Sequence, residues 1–287
     1  MKQTRVGVLG IGAVEPALPV LHAEDLGLTR GDGCFEATRV VTDAAGSHRI
    51  DHLSEHLDRF DRSCAGLQLP PIDRDAWWLL IDELLQGWSV PGEAMLRLMI
   101  SRGRESTPAG PITGIATLTP IAAETLRQRA EGISVITLNR GFDCDAFADA
   151  PWLLGGVKTL SYAVNVAATR EAVRRGANDV IFTSTDGKLL EAPTSTVLWH
   201  TGGALHSTPP GASGVLASIT QQALFAAAES AGYHCRYLLG TAEDLLSADG
   251  AWLVSSGRGV AGITTLDGRT LTDNPAMTGQ LTALAGF

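Results

Sequence analysis

The stretch Gly31-Asp32-Gly33-Cys34-Phe35-Glu36-Ala37-Thr38-Arg39-Val40-Val41 is the place to begin. From Cys34 it alternates in character and ends in β-branched residues, the pattern of a strand. Downstream, His52 to Leu67 places Leu53, Leu57, Phe60, Cys64 and Leu67 on one helical face. Asp75 to Trp88 reads as a second helix, stopped by Pro91-Gly92, and Trp77-Trp78 as a core and rim pair on it. Met95 to Ser101 and Ile112 to Leu118 read as strands, and Thr119-Pro120 as a linker. That divides the chain into a smaller domain over residues 1–118 and a larger one over 122–287, joined at about 119–121.

The second segment opens with a short helix from Ala122 to Ala130 and a strand from Ile133 to Leu138. Tyr162 to Arg175 is a helix with basic residues in its last turn and Gly176 as its stop. Asp179 to Thr183 and Ser195 to Trp199 are strands on either side of the turn Thr185-Asp186-Gly187-Lys188. Gln221 to Ala231 is a helix opened by Ser218 and Thr220, and Ala251 to Ser255 and Val260 to Thr265 are late strands. Strands in both halves with helices between them give an α/β or α+β fold of two unequal domains.

Composition excludes several classes. Lys and Arg number 22 against 31 Asp and Glu, so the net charge is −9, the wrong sign for a general phosphate-backbone binder. The chain is 45% hydrophobic, too apolar for disorder, yet no apolar run approaches the roughly 20 residues of a membrane span. Gly10, Gly12 and Pro16 arrive before any signal-peptide core builds up. The cysteines Cys34, Cys64, Cys144 and Cys235 form no metal or redox spacing. A soluble, acidic, reduced cytoplasmic protein is expected, without nucleic-acid or membrane partners.

Two short patterns are set aside. Gly10-Ile11-Gly12 lacks the third glycine of a dinucleotide fingerprint, and Pro16 interrupts the helix that would receive a pyrophosphate. His52-Leu53-Ser54-Glu55-His56 spells an inverted zinc-peptidase motif, but Leu53, Leu57 and Phe60 assign this helix to packing. It is read as a solvated helix start, and no metal is expected.

A dispersed set is more telling. After Gly31 to Val40 comes His56-Leu57-Asp58-Arg59-Phe60, and about a hundred residues later Lys158-Thr159-Leu160-Ser161-Tyr162. Asp186-Gly187-Lys188-Leu189-Leu190-Glu191-Ala192-Pro193-Thr194-Ser195 follows, then Ser218-Ile219-Thr220, then Ser255-Ser256-Gly257. Taken singly, Lys158 reads as a loop lysine, Glu191 as a turn carboxylate, Arg59 as a surface helix residue and Thr220 as a helix cap. In this order and spacing, from roughly Leu28 to Arg269, the set resembles the class IV pyridoxal-phosphate enzymes of fold type IV.

The resemblance implies a smaller N-terminal α/β domain, a larger C-terminal domain with a barrel-like sheet, and a homodimer. It implies pyridoxal 5'-phosphate as cofactor, with Lys158 as the Schiff-base and proton-transfer residue. The residue types suit their implied roles. An aldehyde cofactor needs an amine, which Lys158 supplies. The cofactor ring nitrogen needs an anion to stay protonated, which Glu191 supplies. The phosphate needs a guanidinium fork and unpaired amides at a helix start, implying Arg59, Ile219 and Thr220, with the Ser256 hydroxyl beside them. Pro193, Thr196 and Gln221 depart from the general signature, and none of them is a cofactor anchor.

The motif around Cys34 and Phe35 is similar to that of 4-amino-4-deoxychorismate lyases and D-amino-acid transaminases rather than the branched-chain transaminases. An Arg-x-His carboxylate clamp is missing: Arg97, Arg102 and Arg104 stand without a histidine. Together with the compact length, this implies a lyase forming 4-aminobenzoate and pyruvate for folate biosynthesis. A D-amino-acid or branched-chain transaminase is the alternative, or a second activity of the same site. Phe35, Arg97 and Arg102 are the candidate substrate contacts.

Overall fold

The structure, a computed structural model, describes residues 4–108 and 110–287. The chain divides into two compact units. The first comprises the described part of Met1–Ala122 together with Val157–Tyr162, and the second Ala123–Gly156 and Ala163–Phe287.

The first unit contains β1 (Arg5–Val8), β2 (Gly12–Val14), α1 (Leu26–Thr29), β3 (Gly33–Thr42) and β4 (His48–Ile50). It continues with α2 (Leu53–Gly66), α3 (Arg74–Gln86), β5 (Gly92–Ser101) and β6 (Thr113–Pro120). The strands form one antiparallel sheet in the order β2-β1-β6-β5-β3-β4. Side chains alternate across a strand, so Cys34, Glu36, Thr38 and Val40 share one face of β3, opposite Ile100, Leu98, Leu96 and Ala94 of β5. The helices close over the core these strands build: Leu57 and Phe60 of α2 and Trp77, Ile81 and Leu84 of α3 are buried with Leu96, Leu98 and Leu118. Each such side chain contributes roughly 1.5–3 kcal/mol on leaving water. Trp77 is fully buried, with its ring edge-on to Phe60, while Trp78 remains 46% exposed. Asp73 caps α3 by accepting from the Ala76 amide at 3.0 Å.

Thr119 and Pro120, expected in the linker, are the last residues of β6 and face Met95 and Ala94. Pro120 can serve there because a terminal strand position tolerates a missing N–H. The unit boundary falls between Ala122 and Ala123.

The second unit holds α4 (Ala123–Glu131), β7 (Ile133–Asn139), α5 (Ala163–Arg174), β8 (Asp179–Thr183), β9 (Thr196–Thr201) and β10 (Ala204–Ser207). Then come α6 (Ile219–Ser230), β11 (His234–Tyr237), α7 (Ala242–Leu246), β12 (Gly250–Ser255), β13 (Gly259–Leu266), β14 (Arg269–Thr270) and α8 (Pro275–Leu284). Its mixed sheet runs β11-β10-β9-β12-β13-β7-β8, with β14 paired to β13, and curls as a half-barrel. Leu224 and Phe225 of α6 and Leu281 of α8 pack with Leu198, Trp252 and Val260. Ala168 and Ala172 of α5 pack with Val180 and Phe182. No helix among the described residues is long and apolar enough to cross a membrane.

Candidate active site

Lys158 lies on the six-residue return of the chain to the first unit, where it is sewn to the open edge of β3. The Phe35 amide donates to the Lys158 carbonyl at 2.9 Å, and the Leu160 amide to the Gly33 carbonyl at 2.8 Å. Cys34 and Thr159 form the antiparallel bridge between these two bonds. Gly33 is required at this seam, because a Cβ there would land on the Ile100 carbonyl and on the Leu160 side chain. The Lys158 amide also donates to Ser63 Oγ on α2 at 3.3 Å. Phe35 and Lys158 therefore face each other across the strand pair, with the lysine Nζ 4.3 Å from the Phe35 ring centroid.

On the other face of β3, Glu36 is only 1% exposed and meets α2. Its carboxylate accepts from Arg59 Nε at 2.7 Å, from Arg59 Nη2 at 2.8 Å and from His56 Nδ1 at 2.6 Å. His56 and Arg59 are three apart on α2 and so share a face. Burial alone would raise the Glu36 carboxyl, but the Arg59 charge, with hydrogen bonds from His56 and Arg59, overrides it and holds the group at about 2. Burial pushes His56 below its ordinary value, opposed by Glu36. A neutral imidazole donating from Nδ1 to an ionised carboxylate satisfies both groups. His56, expected at a solvated helix start, is thus 2% exposed, and Arg59 is 6% exposed rather than a surface residue.

The remaining candidates belong to the second unit. Asp186 and Gly187 form the tip of a turn whose arms pair through Ser184 and Lys188 and through Phe182 and Leu190. Gly187, at φ 78°, meets the turn's need for a left-handed residue. This hairpin delivers Glu191, whose Oε2 accepts from the Leu216 amide at 3.1 Å. Three residues beyond Leu216, α6 begins. Ser218 is its N-cap, accepting from the Gln221 amide at 3.2 Å. Ile219 and Thr220 fill the first two helical positions, where amides have no intrahelical acceptor and the helix dipole favours an anion. Thr220 Oγ1 and Ser256 Oγ stand 3.1 Å apart, joining the helix start to the residue after β12. Arg258 braces this region: it pairs with buried Asp179 and donates to Ser195 Oγ at 3.2 Å.

The proposed substrate arginines differ. Arg97 is exposed on β5 opposite Ala37, on the Phe35 face of the sheet. The Arg102 guanidinium is tied to the protein itself, with Asp32 at 2.7 Å and the Leu67 carbonyl at the end of α2 at 2.6 Å. It serves there as a cation at a helix C-terminus. Sequence reasoning assigned no role to Glu36, although its parity with Cys34 and Val40 places it on the inward face. It also missed Cys34 and Cys64, whose sulfurs approach to 3.6 Å. Among the described residues no group of three metal-ligating side chains occurs.

The chemistry of these donors fits pyridoxal phosphate. A lysine amine stands in the first unit. In the second, a carboxylate is fixed by a backbone amide, and two hydroxyls meet at a helix N-terminus suited to a phosphate.

The family model for amino-transferase class IV matches residues 33–266. A bifunctional aminodeoxychorismate lyase / D-amino acid transaminase of Mycobacterium tuberculosis is 42% identical over 270 residues, covering 91% of each chain. A hypothetical aminotransferase from M. tuberculosis, solved in a PLP-bound form, superposes with a TM-score of 0.91 at 40% identity, over 99% of this chain and 98% of its own. A fold IV-transaminase from Curtobacterium pusillum gives a TM-score of 0.91 at 36% identity, over 99% and 100%. The family match extends from the first residue of β3 to the last of β13, and the chain belongs to the class IV aminotransferases.

Proposed function

We propose that the protein is a pyridoxal-phosphate-dependent aminodeoxychorismate lyase that forms 4-aminobenzoate and pyruvate for folate synthesis, with D-amino-acid transamination as a second activity. The observation that carries this reading is the 42% identity, over nine-tenths of both chains, to a relative named for both reactions. The cofactor, when bound, supplies an electron sink for the pair released as a C–H bond beside the substrate nitrogen breaks.

The chain's own residues supply the rest. Lys158 would hold the cofactor by its amine and, with that amine free, would take the proton from the amine-bearing ring carbon of the substrate. Glu191 keeps a proton on the pyridine nitrogen. Thr220, Ser256 and the first amides of α6 would hold the phosphate in the second unit; Arg59, oriented by Glu36, is the guanidinium the first unit would offer it. The ring C–O bond to the enolpyruvyl group then breaks, the departing enolpyruvate takes up a proton to become pyruvate, and the ring is left aromatic. The working assembly is a homodimer in the cytoplasm.

The test incubates purified protein with aminodeoxychorismate and, separately, with D-alanine and 2-oxoglutarate. Pyruvate arises in both tubes, so 4-aminobenzoate is the deciding product. Its absence, with D-glutamate formed in the second tube, leaves a transaminase only. Sedimentation should give twice the 30.1 kDa chain mass.

A further inference from the structure

The Phe35 ring does not stand alone beside Lys158. The Tyr162 amide donates to the Leu160 carbonyl at 2.7 Å, turning the chain so that the Tyr162 ring meets Phe35 edge-to-face, with centroids 5.3 Å apart and planes at 84°. The Lys158 Nζ lies 4.3 Å from the Phe35 centroid and 6.0 Å from that of Tyr162. Both distances are within the range over which a ring face attracts a cation. The strand register fixes this arrangement, since Phe35 is the residue directly across from Lys158. An edge-to-face contact in turn orients the Phe35 face.

We propose that Phe35 and Tyr162 are positioning residues that seat the Lys158 ammonium whenever the lysine is not joined to the cofactor. The seat keeps the amine near its point of use instead of letting a four-carbon side chain sweep through solvent. This rests on the assignment of Lys158 as the cofactor's amine. Of the charged and titratable groups on α2, His56 feels the Lys158 charge, while Glu36 and Arg59 pair with His56 on the other face of β3; substitutions in the aromatic pair leave all three in place.

The test measures acylation of Lys158 by acetic anhydride in the full chain stripped of cofactor, scored by mass spectrometry against Lys188. The ring face favours the ammonium over the reactive neutral amine. Phe35→Leu keeps an apolar side chain of similar bulk but removes that face, so Lys158 labelling should rise about fivefold, equivalent to about 1 kcal/mol. Phe35→Tyr, which keeps a ring, should stay within about twofold of wild type. Tyr162→Leu should give a smaller rise than Phe35→Leu and serves as the readout should the latter fail to fold. Unchanged labelling in both leucine variants overturns the proposal, as does equal acceleration in Phe35→Tyr and Phe35→Leu. Borohydride capture of the cofactor on wild-type Lys158 is measured separately. Capture elsewhere sinks the assignment of the amine, whatever the labelling shows.

Discussion

Replacing Glu36 by glutamine keeps the shape of the side chain and removes the charge that Arg59 and His56 share. The Glu36 carboxyl sits at about 2, against 4.5 for an ordinary glutamate. At 1.36 kcal/mol per decade of proton affinity, that gap corresponds to about 3 kcal/mol of stability. The figure agrees in scale with the roughly 3–5 kcal/mol cost of stripping one partner from a buried ion pair. The folded value is the lower one, so this stabilisation is fully present above pH 4.5 and is lost as pH falls towards 2. His56 acts in the same direction: burial depresses its proton affinity, so an acidic medium protonates the unfolded chain first and pulls the equilibrium towards it. Urea unfolding of the cofactor-free protein should therefore place Glu36→Gln about 3 kcal/mol below wild type at pH 7, with the difference shrinking between pH 4.5 and pH 2.5. Equal stability at pH 7, or a difference independent of pH, would refute the reasoning.

Three further substitutions test the site. Lys158→Ala should abolish turnover and borohydride-fixable absorbance while leaving circular dichroism unchanged; comparable activity would remove Lys158 from its role. Arg59→Ala should weaken cofactor retention about 10–100-fold on dialysis, because a charge-assisted fork contributes roughly 1.5–3 kcal/mol. It also strands Glu36 in the core, so its melting temperature should fall as well, and retention equal to wild type would place the phosphate elsewhere. Glu191→Gln should keep near-normal occupancy with turnover lowered at least about 100-fold, a barrier rise of roughly 2.7 kcal/mol; full activity with an unchanged visible spectrum would make Glu191 an ordinary turn carboxylate.

The elements around the site were legible where one periodicity ruled. The expected helix from His52 to Leu67 runs from Leu53 to Gly66, and the strand expected over Asp179 to Thr183 has those bounds. Strands β1 and β2 were passed over because three- and four-residue strands joined by a glycine turn carry too few alternations to register. Glu36 and His56 escaped for a different reason. A carboxylate in an alternating strand suggests the wet face, and its partners lie twenty or more residues away on another element. Only the parity of Cys34, Glu36 and Val40 could have exposed the contradiction. Nor does linear spacing show that Lys158 joins β3 as an edge segment, since that pairing joins residues more than a hundred apart and obeys no local rule.

The six residues from Val157 to Tyr162 also bear on modularity. The backbone crosses from one unit to the other after Ala122, after Gly156 and after Tyr162, so the two are not beads on a string. A gene fragment ending at Ala122 would leave the Phe35 amide and the Gly33 carbonyl at a bare sheet margin, open to pairing with whatever extended peptide it met. Recombination between relatives faces the same constraint. A chimera can exchange the amino-terminal unit intact only by carrying a short insert from the middle of the other unit, and that insert includes the lysine.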